Sequence, residues 1–287
     1  MSSGIDAQLG AALLSPWVLA LLGLCIGSFL NVVIHRLPMA LERGWKIDSA
    51  EMLGIKIEVP EPITLSKPRS RCPSCGHMIV WHENIPVLSW LWLRGRCSAC
   101  KTRISARYPF IEILTGALFA AVGWRFGAQP VAVLWCGMVA VLIALAGIDW
   151  DTTLLPDNLT LPLLWAGLVA SLLGWTIPLP QALWGAVAGY LSLWSVYWLF
   201  KLTTGKEGMG FGDFKLLAAL GAWLGWQMVL PIVLGASVLG AVVGLGMKAM
   251  SSLREGRYVP FGPFLAGGGI VVLLAGQPRV LGWLGWA

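Results

Sequence analysis

The chain has 287 residues, of which 57% are hydrophobic and 12% are charged, and its mean hydropathy is +0.76. Soluble domains carry about 25% charged residues, so the composition excludes an ordinary soluble protein and indicates an integral membrane protein. The formal charge of +6 does not indicate nucleic-acid binding, because the basic residues lie between apolar runs and form no basic helix.

Eight apolar runs, each near the roughly 20 residues that a helix needs to cross a bilayer, predict an all-α polytopic membrane protein. In chain order the predicted transmembrane helices cover residues 13–34, 109–125, 130–148, 159–176, 181–200, 214–229, 231–250 and 260–284. No Lys or Arg precedes the first run, whereas a cleaved signal peptide begins with basic residues. We therefore expect the first run to be retained as a transmembrane helix.

The distribution of Lys and Arg predicts how these helices are oriented. If the N-terminus lies outside the cytoplasm, the connections facing inside are 35–108, 149–158, 201–213 and 251–259. Together with Lys215 and Lys248 at the adjoining helix ends, that side carries 18 of the 20 Lys and Arg residues. By the positive-inside rule, both termini are expected outside the cytoplasm.

This topology divides the chain into three parts. Residues 1–34 form an N-terminal transmembrane helix, residues 35–108 form the only long polar segment, and residues 109–287 form the second transmembrane part. The polar segment lies between helices 1 and 2 on the inside, so we expect a small cytoplasmic domain inserted at this point.

Four of the six cysteines lie in that segment. Cys72 and Cys75 form one C-x2-C pair and Cys97 and Cys100 form a second, with 21 residues between the pairs. Two such turns can place four thiolates tetrahedrally around Zn²⁺, and the reducing cytoplasm disfavours disulfides. The spacing predicts a structural zinc site, in which the metal folds the segment without taking part in catalysis. Paired disulfides or a redox dithiol are the alternatives.

Acidic residues are scarce in the apolar part, and two of them lie at one level of the predicted bundle. Asp149 follows the third apolar run, and Asp213 precedes the sixth, so both belong to the cytoplasmic side. Two close carboxylates share one proton. The charged member can then take a proton from water while the neutral one polarises a peptide carbonyl. The pair predicts acid–base hydrolysis of a peptide bond, as in aspartic proteases.

Other interpretations of these acids stay open at this point. Asp213 would also suit an N-terminal helix cap, and Asp157, which precedes the fourth run, suits that role still better. Paired acids also occur in proton-coupled transporters, although the predicted helices 4, 5 and 7 contain no deep charged residue. A non-enzymatic assembly scaffold would keep the cysteine-containing segment and would not need Asp149 and Asp213.

Several short motifs follow one another along nearly the whole chain. They are Gly27-Ser28-Phe29-Leu30-Asn31-Val32-Val33-Ile34-His35-Arg36-Leu37-Pro38, Ser70-Arg71-Cys72-Pro73-Ser74-Cys75, Trp81-His82-Glu83-Asn84-Ile85-Pro86-Val87-Leu88-Ser89-Trp90, Arg107-Tyr108-Pro109-Phe110-Ile111-Glu112, Ile148-Asp149 and Gly210-Phe211-Gly212-Asp213. In this order the motifs resemble those of the bacterial type IV prepilin peptidases, which are bifunctional leader peptidases and N-methyltransferases.

The resemblance implies a GxGD-type aspartyl protease of the bacterial inner membrane, with periplasmic termini and its catalytic residues, Asp149 and Asp213, at the cytoplasmic face. The implied substrates are the prepilins and pseudopilins of type IV pili and type II secretion, whose short basic leader is cut after a glycine. The new N-terminus is then methylated with S-adenosylmethionine. Gly210 and Gly212 support the motif, because glycine lets a neighbouring backbone, such as that of the substrate, lie close to the carboxylate.

The residues that bind S-adenosylmethionine are not specified by a recognisable pattern, since no Gly-rich loop joins a strand to a helix. Glu83, Asn84 and Glu112 are candidates within residues 70–112, because their side chains could bind an amine or a ribose. A purely structural hydrogen-bonding role is the alternative for all three.

Overall fold

The computed structural model describes residue 10 and residues 12–58, 62–206, 208–249 and 259–286. Within these residues the helices α1 to α10 are Pro16–Leu53, Leu88–Trp92, Arg107–Phe126, Val131–Thr152, Asp157–Leu172, Leu179–Thr204, Phe211–Leu224, Val229–Ala249, Gly262–Ala275 and Gln277–Trp283. Two short 3₁₀ helices are also present, Trp81–Asn84 and Trp226–Met228. Most of the predicted connection 251–259 lies outside the described residues.

Among the described residues, five segments are long and apolar enough to cross a membrane, namely α1, α3, α4, α6 and Trp226–Ala249, which contains α8. The bent pair α9 and α10 would count as a sixth if it forms one span. The prediction of an all-α chain with several apolar spans is therefore confirmed for the described residues. The number of eight spans stays a prediction, because α5 has 16 residues and α7 has 14, fewer than the roughly 20 needed to cross a bilayer.

The first helix is longer than the apolar run that predicts it. The run ends at residue 34, whereas α1 continues to Leu53, so the predicted end of the helix is wrong. Residues 35–53 contain several strong helix formers such as Leu, Ala, Met and Glu, which allows the helix to continue after the hydrophobicity ends. It stops at Gly54, whose φ of 66° lets its N–H bond the carbonyls of Ala50 and Glu51.

The last apolar run, predicted as one helix over 260–284, is also not continuous. It consists of α9 and α10, which are bent by 110° relative to each other. Gly276 lies between them with φ of 88°, a conformation that glycine adopts without steric cost. Pro278 follows in the first turn of α10, where its missing N–H is not needed. A hydropathy profile does not show how Gly276 and Pro278 affect the backbone. The single predicted helix over 260–284 is therefore corrected to two helices.

Contacts between Cα atoms divide the chain into an N-terminal unit, residues 1–140, and a C-terminal unit, residues 141–287. In the N-terminal unit α1 packs along α3. A Cβ added to Gly23 would lie 2.8 Å from Cα of Gly116, and one added to Gly27 would lie 2.7 Å from Cα of Glu112. The two backbones therefore touch, because small residues four positions apart on one face of a helix let another helix approach closely.

The central helix of the C-terminal unit is α7, which packs against α5, α6 and α9. From Asp213 to Leu224 every residue except Lys215 is buried, as expected for a helix that is apolar on all sides. Gly185 and Gly189 of α6 let that helix lie directly against the backbone of α7. The packing therefore places the first turn of α7, and Asp213 with it, in the interior of the unit.

We expect Gly27→Ala to destabilise the N-terminal unit by about 1–3 kcal/mol, the usual cost of overpacking a filled interface. The control is Gly44→Ala on the same helix, where an added Cβ has no atom within 4 Å. Thermal unfolding of the detergent-solubilised protein measures both variants. A lower melting temperature is expected for Gly27→Ala alone, and equal effects of the two changes would contradict the close α1–α3 packing.

Candidate active site and cysteine cluster

Asp149 lies in the last turn of α4, at the position predicted from the end of the third apolar run. Its side chain is 5% exposed. Its Oδ2 atom accepts a hydrogen bond of 2.9 Å from the backbone N–H of Gly262. Gly262 is the first residue of α9 and stands between Phe261 and Pro263. The start of α9 therefore orients this carboxylate.

Asp213 lies in the first turn of α7, also as predicted, and is 8% exposed. Its backbone N–H donates to the carbonyl of Gly210 at 3.3 Å. The Oδ1 atom of its side chain is buried and has no hydrogen-bond partner among the described residues. Leu155 lies close both to Gly212, the neighbour of Asp213, and to Gly262, the donor to Asp149. Two acids from different helices are therefore brought together inside the C-terminal unit.

The two glycines before Asp213 have different surroundings. A Cβ added to Gly212 would lie 2.7 Å from Cβ of Leu155, so the absence of a side chain there makes room for this leucine. A Cβ added to Gly210 would meet only the backbone nitrogen of Gly212, at 3.9 Å. Within the protein, Gly212 thus serves the packing of the site, and Gly210 leaves open space beside it.

Sequence reasoning missed Gly262, which lies 113 residues from its partner Asp149. A Cβ at Gly262 would stand 2.6 Å from Oδ2 of Asp149, so only glycine fits there without a shift. The available signal was a glycine flanked by aromatic and proline residues, Pro260-Phe261-Gly262-Pro263, immediately before an apolar run. Such a signal predicts a tight helix start but does not show which residue Gly262 contacts.

The four predicted cysteines converge in two equivalent turns. The N–H of Cys72 donates to the carbonyl of His77 at 2.9 Å, and the N–H of Cys97 donates to that of Thr102 at 2.9 Å. The four Sγ atoms lie within 4.8 Å of one another. The prediction that these cysteines form one cluster is therefore confirmed, and the cluster could hold a metal ion.

His77 lies beside the cluster and contacts two polar side chains. Its Nε2 atom lies 3.1 Å from Oε2 of Glu83 and 3.2 Å from Oγ of Ser98. Hydrogen bonds from Ser98 and from the N–H of Val80, together with His77, hold the pKa of Glu83 below its ordinary value. Glu83 thus makes structural contacts, which is the alternative left open for it by the sequence.

Glu112 is 7% exposed and joins α3 to the polar segment. Its Oε2 atom accepts a hydrogen bond of 2.7 Å from the N–H of Val87. Val87 has φ of 61° and ψ of −50°, which is a strained conformation for a β-branched residue. Asn31 of α1 lies nearby in the same junction and donates to the carbonyls of Gly27 and Tyr108. Buried side chains from two of the recognised motifs therefore tie α1, α3 and the polar segment together.

Asn84, the third candidate for binding S-adenosylmethionine, is exposed at the end of the 3₁₀ helix Trp81–Asn84. It differs in this respect from Glu83 and Glu112, whose carboxylates are bonded to the protein. The binding role of all three residues stays a prediction.

Comparison with known proteins identifies the family. Residues 21–126, which contain the cysteine cluster, match the family described as bacterial peptidase A24 N-terminal domain. Residues 136–245, which contain both aspartates, match the type IV leader peptidase family. A protein of Pseudomonas putida called prepilin leader peptidase/N-methyltransferase is 53% identical over 256 residues, 89% of each chain. This chain belongs to the type IV leader peptidase family.

Other members of the family are equally similar and bear the same name. The protein of Stutzerimonas stutzeri is 52% identical over 267 residues, which are 93% of this chain and 92% of its own. That of Aeromonas hydrophila is 53% identical over 273 residues, which are 91% of this chain and 92% of its own. No solved structure matches the chain. The family resemblance predicted from the motifs is therefore confirmed over almost the full length.

We expect Glu112→Leu to release the strained backbone at Val87, because its N–H loses its acceptor. Loss of a buried hydrogen bond to a charged group costs about 1–3 kcal/mol, so amide exchange around Val87 should accelerate roughly ten- to hundredfold. Hydrogen–deuterium exchange with peptide mapping measures this change. Glu112→Gln keeps an acceptor oxygen and should exchange close to the wild-type rate. Unchanged exchange in Glu112→Leu would show that the contact does not hold the segment.

Proposed function

We propose that this protein is a prepilin leader peptidase and N-methyltransferase of the bacterial inner membrane, in which Asp149 and Asp213 hydrolyse the leader peptide bond. The observation that carries the proposal is the pair of buried carboxylates on different helices of one unit, with Leu155 close to a glycine that accompanies each of them. Membership of the leader peptidase family supports the reaction. A non-enzymatic scaffold would not need this pair, and a proton-coupled transporter would also need deep charged residues, which the predicted helices 4, 5 and 7 lack.

The surroundings of the two acids suggest different roles for them. The N–H of Gly262 donates to Asp149, and a hydrogen bond of this kind favours the ionised carboxylate. Asp213 has a buried oxygen without a partner among the described residues, which suits the member that holds the shared proton. We assign Asp149 as the general base and Asp213 as the general acid.

The reaction follows from this arrangement. Asp149 takes a proton from a water molecule as the water oxygen attacks the scissile carbonyl carbon, and Asp213 gives its proton to the carbonyl oxygen. The tetrahedral intermediate then collapses. The C–N bond breaks as Asp149 gives its proton to the nitrogen and a hydroxyl of the intermediate returns a proton to Asp213, which releases the leader and a new α-amine and restores the pair.

The implied substrates are prepilins and pseudopilins, consistent with the names of the relatives. The apolar helix of such a substrate would enter between membrane helices, while its basic leader stays in the cytoplasm. Both aspartates would then lie at the cytoplasmic face and both termini in the periplasm, as the distribution of Lys and Arg predicts.

The cysteine cluster fits a structural zinc ion. Zn–S bonds of about 2.3 Å in a tetrahedron place the sulfur atoms about 3.8 Å apart. The Sγ atoms of Cys72 and Cys100 are 3.7 Å apart, and those of Cys75 and Cys97 are 4.0 Å apart. With four thiolates the metal would have no open position, so Cys72, Cys75, Cys97 and Cys100 would use it to fix the two turns.

The methyl-transfer activity is proposed from the names of the relatives. S-adenosylmethionine would supply the methyl group that is transferred to the new α-amine. Among the candidates for its binding, Asn84 has an exposed side chain, whereas Glu83 and Glu112 already bond to the protein. Of the three, Asn84 is therefore the residue best placed to contact this molecule.

Asp149→Asn and Asp213→Asn should each lower the cleavage rate of a prepilin by roughly 10³-fold or more, since neither amide can exchange the required protons. Methylation of an already cleaved pilin peptide should remain. Gel-based cleavage and radiolabelled methyl transfer measure the two activities. Asp151→Asn, at an exposed acid in the same turn of α4, is the matched control and should cleave normally. Full cleavage by either active-site variant would overturn the proposed pair.

The purified protein should contain roughly one zinc ion per chain, the stoichiometry of a four-thiolate site. Cys72→Ser combined with Cys97→Ser should remove the zinc and make residues 62–106 sensitive to protease, because the metal folds the segment. Elemental analysis and limited proteolysis measure these effects. Cys25→Ser, at an exposed cysteine of α1, should retain the metal. Unchanged zinc content in the double variant would exclude the cluster as its site.

A further inference from the structure

The connection between α4 and α5, residues 153–156, follows directly after the helix turn that carries Asp149. Thr153 has φ of 55°, which is uncommon for a β-branched residue and is typical of backbone held by its surroundings at functional sites. Its N–H donates to the carbonyl of Asp149 at 2.8 Å. The strained residue thus ends α4 at the level of this aspartate.

Two residues later, Leu155 lies between the glycines that accompany the two carboxylates. A Cβ on Gly212, next to Asp213, would lie 2.7 Å from Cβ of Leu155. A Cβ on Gly262, which donates to Asp149, would lie 3.2 Å from Cδ1 of Leu155. Leu155 is itself 8% exposed. One buried side chain therefore contacts the backbone beside each acid.

The connection also reaches α7 through an ion pair. Asp157, the first residue of α5, was a candidate helix cap by sequence, but the residue at the cap position is Pro156 and no side chain caps the helix. The two carboxylate oxygens of Asp157 instead accept hydrogen bonds of 2.7 and 2.8 Å from Nζ of Lys215. Lys215 stands two residues after Asp213 and is the one residue of Asp213–Leu224 that is not buried.

We propose that residues 153–157 form a positioning device for the carboxylate pair. Leu155 sets the spacing between the backbone segments that hold Asp149 and Asp213, and the Asp157–Lys215 ion pair fixes the first turn of α7. The inference rests on the proposed function, since it assigns positioning residues to the same hydrolytic site.

The ion pair is partly exposed, with 51% of the side chain of Asp157 accessible, so its contribution to global stability is small. We expect the ion pair to affect mainly the position of Asp213 relative to Asp149. A displacement of about 1 Å of a reacting group can cost up to 10²-fold in rate. A positioning role therefore predicts a loss in kcat, whereas binding of the substrate's apolar helix, and with it KM, should hardly change.

The first test compares Leu155→Val with Leu155→Met in cleavage of a prepilin by the full-length protein. We expect Leu155→Val to lower kcat roughly tenfold at unchanged KM, and Leu155→Met, which conserves volume, to restore most of the rate. Leu172→Ala, at a 66% exposed leucine of α5, is the control. Wild-type kcat in Leu155→Val, or equal changes in kcat and KM, would overturn the proposal.

The second test changes the partly exposed ion pair of Asp157 and Lys215 and leaves the buried Leu155 unchanged. Lys215→Met and Asp157→Asn should each lower kcat several-fold with little change in melting temperature, and the charge exchange Asp157→Lys with Lys215→Asp should recover activity. An exchange variant no better than the single variants would contradict the role of the pair. If the wild-type protein itself fails to cleave prepilin, the proposed function fails, which separates that outcome from failure of the positioning device.

Discussion

Two carboxylates buried in one apolar helical unit must be held against both their repulsion and the cost of leaving water. The C-terminal unit meets this constraint with backbone groups. The N–H of Gly262 bonds Asp149, and Asp213 occupies the first turn of α7 in the interior of the unit. No Lys or Arg is hydrogen-bonded to either acid among the described residues. A cation would neutralise the pair, whereas backbone donors orient it and leave protons free to move.

The close packing of α7 against its neighbours keeps Asp213 buried. Gly185 and Gly189 bring α6 against its backbone, and Nε1 of Trp223 donates to the carbonyl of Leu163 at 2.8 Å, which ties α7 to α5. The neighbouring helices enclose α7 and hold Asp213 in the interior of the unit. The catalytic proposal thus depends on packing that any larger residue at these glycines would disturb.

The N-terminal unit contains a segment with little regular secondary structure. Between α1 and α3 the described chain contains only one five-residue helix and one short 3₁₀ helix, too little regular structure to bury a core of its own. The cysteine cluster and the buried contact of Glu112 with Val87 replace that core. A segment held in this way can present exposed side chains such as Asn84 without requiring a larger domain.

The sequence predicted best those site residues whose chemistry and position in the chain both indicate a function. The ends of apolar runs placed Asp149 and Asp213, and the C-x2-C spacing placed the cysteines. Hydropathy could not show that α1 continues past its apolar run, since helix propensity and not hydrophobicity extends it. It also could not show the contacts of Leu155 or the partner of Asp149, because these form only when distant parts of the chain fold together.

The most direct measurement of the central claim is a double-variant cycle on the two acids. Single-turnover cleavage of a prepilin would be followed for the wild type, Asp149→Asn, Asp213→Asn and the combination of both. Residues that act as one unit are strongly non-additive, so the double variant is expected to be no slower than the slower single variant. A double variant slowed by the product of the two single effects, or one that cleaves near the wild-type rate, would contradict the assignment of one shared hydrolytic site.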